Sequence, residues 1–160
     1  MRGARTTTGV LAIGLVVALS ACGGDDGAGG APTPNAKATS TVAVTVQEFS
    51  VLPGQASAPA GTVTFNVTNK GPNDDHEFVV VRSDLAPESL PVKADGSVDE
   101  EGAGVQSLGE IAEFSPGQSK SVTFEMTAGK YVLFCNVVDT EENPPEVHYK
   151  LGMRTAFTVV

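Results

Sequence analysis

Three residues near the carboxyl end of the chain carry side chains that bind metals: Cys135, His148 and Met153. Cys135 follows an apolar run over residues 131–134, and a polar loop separates it from His148. The one other histidine of the sequence, His76, opens an apolar run far upstream. Two imidazoles, a thiolate and a weakly bound thioether are the ligands of a blue-copper electron-transfer site. The fold must bring all four residues together for this chemistry to take place.

The elements that must position these residues are predicted to be strands. In three segments apolar residues alternate with polar ones, which is the pattern of half-buried strands. The apolar members are Val42, Val44 and Val46, then Val63, Phe65 and Val67, then Val122, Phe124 and Met126. Residues 78–81 and 131–134 are continuous apolar runs, as in strands that are covered on both faces. Turn residues separate the segments, so the sequence predicts an all-β sandwich.

One segment interrupts this pattern. Residues 83–108 contain an acidic, glycine-containing stretch and show no clear alternation. We expect residues 83–108 to form a long connecting segment between two strands, the excursion, whose middle is exposed and mobile.

Side-chain alternation indicates that the candidate ligands can converge. Successive strand residues point to opposite faces, and this places His76, Cys135 and Met153 each on a mostly apolar face. In an antiparallel sandwich the start of one strand lies beside the end of another, so the three can meet at one pole. His148 comes from the loop between the last two strands. As the loop residue, His148 is expected to reach the surface and to serve as the electron port.

The amino-terminal residues 1–21 are predicted to be a lipoprotein signal peptide. Basic residues precede a short apolar run over residues 10–19, which fits a secretory signal better than a membrane-spanning helix. The run ends in Leu19-Ser20-Ala21-Cys22, which resembles the bacterial lipobox. We therefore expect export, lipidation at Cys22 and anchoring to the outer face of a bacterial cell membrane. An ordinary signal peptide with a chance cysteine is the alternative.

Lipidation of Cys22 would leave Cys135 as a solitary thiol in an exported protein, where oxidation threatens it. A role as a metal ligand explains such a thiol, and a buried inert thiol is the simpler alternative. A disulfide between the two cysteines is conceivable, but the lipobox argues against it.

Residues 22–41 contain no aromatic side chain and are rich in Gly, Ala, Pro and Thr, so they are predicted to form a flexible lipidated linker. Residues 42–160 suffice for one folded domain.

The chain carries 19 acidic and 10 basic side chains, and every acidic one follows the signal peptide. This balance argues against nucleic acid as a partner and against direct adsorption on anionic lipid.

The stretch over residues 129–136, followed by His148-Tyr149-Lys150-Leu151-Gly152-Met153, resembles the cupredoxins, the blue copper proteins related to plastocyanin and azurin. Pro116-Gly117 and the segment that begins at His76 add to this resemblance. The resemblance implies a Greek-key β-sandwich that holds one type 1 copper ion. It also implies His76, Cys135 and His148 as equatorial ligands and Met153 as the axial ligand. Small cupredoxins have two to four residues between the cysteine and the loop histidine, whereas this chain has twelve, residues 136–147.

This long loop carries four acidic side chains and no basic one: Asp139, Glu141, Glu142 and Glu146. One interpretation is a docking surface that selects a basic partner by electrostatic steering. A solvated loop without a specific role is the second interpretation. A site for a hard cation is the third, although the spacing matches no calcium-binding loop.

These observations predict an extracytoplasmic, membrane-anchored type 1 copper protein that carries single electrons between redox partners of an electron-transfer chain. A copper-binding lipoprotein for copper storage or delivery is the alternative. An enzyme is not expected, because multicopper oxidases and nitrite reductases need further histidine-rich copper sites and this chain has only two histidines. A metal-free interaction domain is the remaining class.

Overall fold

The computed structural model describes residues 37–160. The predicted signal peptide, the lipidation site Cys22 and the linker up to residue 36 lie outside the described residues. The strands are β1 (Ala38–Gln47), β2 (Ser50–Pro53), β3 (Ser57–Ala58), β4 (Gly61–Asn69), β5 (His76–Arg82), β6 (Gln106–Phe114), β7 (Ser119–Met126), β8 (Gly129–Phe134), β9 (Val138–Asp139), β10 (Glu146–Val147) and β11 (Arg154–Val159), with a four-residue helix α1 (His148–Leu151) and a 3-10 turn (Pro87–Ser89). Among these residues, no helix has the length and apolar character needed to cross a membrane.

Two sheets make up the sandwich. One has the strand order β2-β1-β4-β7 and the other the order β3-β11-β8-β5-β6, while β9 and β10 form a separate hairpin. Strands β1 and β4 pair in parallel, as do β3 and β11, and the other pairs are antiparallel. The all-β sandwich expected from the sequence is confirmed. Strand β1 begins at Ala38, inside the segment predicted to be linker.

The core lies between the two sheets and consists of the inward-facing members of the alternating segments. The alternate valines of β1 and β4 are buried, whereas most of their polar neighbours are not. Phe65 occupies the centre, where its ring packs against Phe78, Phe124 and Phe157 at centroid distances of 5.4, 6.4 and 5.5 Å. Burial of this apolar surface is the main force that holds the sheets together, and so holds the strand ends at the pole in place.

The outer face of the five-stranded sheet is also covered, which explains the two continuous apolar runs. Val79 and Val132 face outward there and pack in a second apolar cluster with Leu90 and Val98 from the excursion. The expectation that the middle of residues 83–108 is exposed is therefore wrong in part, because Leu90 and Val98 are buried. The excursion is also shorter than predicted, since β6 begins at Gln106.

Candidate metal centre

The four candidate ligands all come from strand ends at one pole of the sandwich. His76 is the first residue of β5, Cys135 directly follows β8, His148 opens α1 after β10, and Met153 directly precedes β11. The Nδ1 atoms of His76 and His148 are 3.3 Å apart, and Sγ of Cys135 is 3.5 Å from Nδ1 of His148. The structure thus brings together three donors that lie up to 72 residues apart in the sequence.

Backbone hydrogen bonds hold the turn that carries His148 and Met153. The N–H of Cys135 donates to the carbonyl of Met153 at 3.0 Å, and the N–H of Met153 donates to the carbonyl of His148 at 3.0 Å. Gly152 closes α1 with a φ of 124°, a conformation that favours glycine. A Cβ atom at Gly152 would also lie only 3.1 Å from the carbonyl oxygen of Phe49. This tight turn fixes both side chains relative to Cys135.

Burial sets the protonation of the donors. Removal from water raises the pKa of Cys135 to about 12, because a thiolate is poorly solvated there. Burial lowers the pKa of His76, and the charge of His148 lowers it further. His76 is therefore neutral at pH 7 with a free lone pair, whereas the Cys135 thiol keeps its proton until a cation replaces it.

The donor geometry fits a bound copper ion. Metal–nitrogen and metal–sulfur bonds of about 2.0–2.3 Å, spread at ~120° around one ion, hold their donor atoms about 3.5–3.8 Å apart. The observed separations of 3.3 and 3.5 Å are close to these values. Two imidazole nitrogens and one sulfur form the trigonal set that type 1 copper prefers.

Met153 is fully buried in the same apolar cluster as Cys135. Its main chain is hydrogen-bonded to that of Cys135, as the continuation of the β8–β11 ladder requires. Its thioether as the axial ligand stays a prediction.

His148 does not reach the surface, so the expectation of an exposed electron port at this residue is wrong. The side chain is 1% exposed. The ring of Phe49 packs edge-on against it at a centroid distance of 5.7 Å. His148 lies instead at the wall of an open acidic cavity of about 480 Å³, whose other lining residues are Asn73, Asp74, Asp75, Glu113, Val137, Val138, Asp139, Thr140, Glu141 and Glu142.

The acidic loop has a defined structure near the pole. Its β9–β10 hairpin places Asp139 directly opposite Glu146. The backbone N–H of Glu141 donates to Oδ1 of Asp139 at 2.8 Å. Three of its four acids, all except Glu146, line the cavity beside His148. The loop therefore concentrates negative charge next to the candidate metal centre.

Two asparagines that sequence reasoning did not select tie the ligand segments together. Asn69 is fully buried, and its Nδ2 donates to the carbonyls of Asp74 and Phe114, both at 2.9 Å. Its Oδ1 accepts from the N–H of Gly71 at 2.8 Å, which fixes the turn ahead of His76. The signal in the sequence was its place at the start of the turn Asn69-Lys70-Gly71-Pro72-Asn73, typical of an asparagine that caps its own backbone.

Asn136, which follows Cys135, anchors the excursion. Its Oδ1 accepts from the N–H of Val98 at 2.6 Å, and its Nδ2 donates to the carbonyl of Val98 and to Glu100, both at 3.2 Å. This two-way pairing with one backbone residue holds the excursion against the end of β8.

Two packed sheets with a thiol and two imidazoles buried at one pole define a cupredoxin fold that carries the donor set of a type 1 centre. Among solved structures of this fold, the auracyanin of Roseiflexus castenholzii is 20% identical, with a TM-score of 0.51 over 76% of this chain and 96% of that chain. Auracyanin A of Chloroflexus aurantiacus is 18% identical, with a TM-score of 0.51 over 77% of this chain and 100% of that chain. Rusticyanin from Thiobacillus ferrooxidans is 18% identical, with a TM-score of 0.50 over 76% and 77%.

At these identities the likeness establishes the fold, and the chain has the cupredoxin fold. No protein-family model matches the sequence, and no curated protein matches it either.

Proposed function

We propose that this chain is a type 1 copper protein that carries single electrons between redox partners. The observation that carries the proposal is the buried cluster of His76, Cys135 and His148, whose donor atoms lie 3.3 and 3.5 Å apart at the pole of a cupredoxin fold. One copper ion would be held by these three residues, with Met153 as the axial ligand. A similar structure, auracyanin A of Chloroflexus aurantiacus, is described as a "blue" copper protein, which supports this choice of metal.

Copper supplies the redox couple Cu(II)/Cu(I), and the protein supplies the geometry. The donors come from the start of β5, from the end of β8 and from a turn that is hydrogen-bonded to Cys135 and Val137, so they move little when the charge of the site changes. The site excludes water, because His76, Cys135, His148 and Met153 are all buried. An apolar surround and a thioether ligand both favour Cu(I) and so raise the reduction potential.

The chain is not expected to catalyse a reaction by itself. Both histidines of the sequence belong to this cluster, so neither is left to build the additional histidine-rich copper site that a copper oxidase or nitrite reductase needs. Electrons would therefore enter and leave through protein partners.

Docking of those partners would use the acidic loop. Its side chains Asp139, Glu141 and Glu142 line the cavity that reaches His148, so a basic partner attracted there would approach the metal centre. Phe49, which is partly exposed and packs on His148, offers a second short route from the ring to the surface.

Placement at the membrane is proposed from the sequence alone. The lipobox-like Leu19-Ser20-Ala21-Cys22 supports export and a lipid anchor at the outer face of a bacterial cell membrane. A tethered carrier would stay at high local concentration beside partners of an electron-transfer chain in that membrane.

Visible spectroscopy tests the proposal. The full-length chain loaded with Cu(II) should show intense sulfur-to-copper charge-transfer absorption. Cys135→Ser should abolish this absorption, whereas Cys22→Ser, the same exchange at the other cysteine, should retain it. A colourless chain after loading refutes the type 1 assignment. A coloured chain that rapidly yields Cu(I) to an acceptor protein, but does not turn over with redox reagents, would indicate storage or delivery instead.

A further inference from the structure

A second group of potential metal ligands shares His148. Carboxylate oxygens of Asp74 and Glu146 and one ring nitrogen of His148 all lie within 4.8 Å of one another. Asp74 and Glu146 are half-buried and His148 is buried. Neither carboxylate has a salt-bridge partner within residues 37–160, where the one ion pair joins Lys37 to Glu125.

The two nitrogens of the His148 ring have different surroundings. Nδ1 faces the inner cluster, which is the group His76, Cys135 and His148. It lies 3.3 Å from Nδ1 of His76 and 3.5 Å from Sγ of Cys135. Nε2, the other ring nitrogen, is buried and has no hydrogen-bond partner in the described part of the chain. A buried polar atom without a partner destabilises the fold, and a ligand at Nε2 would remove that penalty. His148 also lines the acidic cavity, and this places the ring between the inner cluster and the carboxylates.

The charges around Glu146 also call for a cation. In the β9–β10 ladder Glu146 stands directly opposite Asp139, and like charges at such positions destabilise a hairpin. Asp139 lines the acidic cavity together with Asp74, Asp75 and Glu113, and no lysine or arginine among the described residues lines it. The resulting negative potential would concentrate a divalent cation at this point.

We propose that Asp74, Glu146 and Nε2 of His148 form a second metal site, which takes a divalent cation of borderline softness such as Zn²⁺. One imidazole nitrogen and two carboxylate oxygens are ligands that Zn²⁺ accepts, and water would complete its four-coordinate shell. In the copper-loaded chain the Nε2–H bond breaks as the Zn–N bond forms, and the proton leaves to solvent. The proposal rests on the proposed function in one respect, since copper at Nδ1 leaves Nε2 as the available nitrogen.

Zinc binding to the full-length, copper-loaded chain tests this site. We expect one zinc ion per chain in addition to copper, measured by metal analysis after gel filtration and by competition with a chelating dye. Asp74→Asn and Glu146→Gln should each weaken zinc binding by about 10- to 100-fold. Asp75→Asn and Glu113→Gln remove the same charge from two residues of the acidic cavity outside the proposed ligand set. They should weaken zinc binding much less, by no more than about 2-fold, because they lower the local negative potential and remove no ligand. The copper absorption of each variant reports that it is folded.

Three outcomes would overturn the second site: no zinc beyond the copper, equal weakening by the control variants, or zinc binding that Cys135→Ala abolishes. The last result would place the zinc at the inner cluster. Failure of the proposed function gives a different result. A chain that stays colourless with copper yet binds zinc in a Glu146-dependent way would refute type 1 copper binding and would support the site of Asp74, Glu146 and His148.

Discussion

The backbone N–H of Glu77 donates a hydrogen bond to Sγ of Cys135, with a nitrogen–sulfur distance of 3.3 Å. This bond joins the start of β5 to the end of β8 and links the residue after one candidate ligand to the sulfur of another. It stabilises a thiolate and opposes the desolvation that raises the pKa of Cys135. Because the donor belongs to the main chain, the side chain of Glu77 is free for a different role.

Ionisation of the Glu77 side chain makes the stability of the fold depend on pH. Burial, followed by a hydrogen bond with Glu110 and the charge of Glu110, raises the pKa of Glu77 from its ordinary value of 4.5 to about 8. Between these two values the folded chain holds a proton that the unfolded chain has lost. The contribution of Glu77 to the free energy of unfolding of the copper-free chain should therefore fall as the pH rises from 4.5 to 8. The lowered pKa of His76 acts in the opposite direction, because its contribution grows as the pH rises to the ordinary value of 6.5.

Glu77→Gln should remove this contribution, because the amide cannot ionise, so raising the pH from 5 to 8 should favour unfolding less in the variant than in the wild type. Denaturant unfolding at pH 5 and pH 8 measures the effect, and the exposed Glu101→Gln serves as the control. An equal change between the two pH values in the Glu77→Gln chain and in the wild type would show that Glu77 does not hold the proton.

Met153→Gln should keep copper and lower the reduction potential. An amide oxygen is a harder ligand than a thioether and stabilises Cu(II) relative to Cu(I). Redox titration of the copper-loaded chain measures the shift. Met126→Leu changes a buried methionine at the end of β7, far from the ligands, and should leave the potential unchanged. An unchanged potential in Met153→Gln removes Met153 from the axial position.

Phe65→Ala should destabilise the fold by about 3–5 kcal/mol, because it leaves a cavity among three other aromatic rings. Leu52→Ala removes a side chain that is 51% exposed and should change stability by about 0.5 kcal/mol or less. Denaturant unfolding monitored by circular dichroism compares the two. Similar losses in both variants would mean that Phe65 is not the centre of the core.

The double exchange Glu141→Gln and Glu142→Gln should slow reduction of the copper-loaded chain by a cationic reagent, hexaammineruthenium(II). Two charges fewer at the cavity beside His148 weaken electrostatic steering, so the rate should fall by roughly a factor of a few at low ionic strength. Stopped-flow measurements at several salt concentrations should also show a weaker salt dependence.

The matched control is Asp84→Asn with Glu125→Gln, which removes the same charge at the other pole of the sandwich. Asp84 lies just beyond the end of β5, and Glu125 lies near the end of β7, both exposed. An equal slowing in the two double variants would mean that overall charge, and not the loop, controls the approach.

Much of the fold could be predicted because its signals are local. Alternation marked β1, β4 and β7, and continuous apolar runs marked β5 and β8 as strands covered on both faces. Strand β6 was not predicted. Few of its residues are buried, so its apolar and polar residues do not alternate clearly along the sequence. The cover of the outer face by Leu90 and Val98 was missed as well, since isolated apolar residues in a polar segment do not show what they will contact.

The sequence by itself determined which donors exist: two imidazoles, one thiol beyond the lipobox-like segment, and a methionine at the start of a strand. Side-chain chemistry is a property of each residue. The face of a strand on which a residue lies follows from the alternation of its neighbours, so both could be inferred from short stretches of the sequence. Only the tertiary structure decided that His148 is buried against Phe49 and that one of its ring nitrogens lies within 4.8 Å of carboxylate oxygens of Asp74 and Glu146. Burial and contact depend on packing between segments far apart in the chain, and no local pattern encodes them.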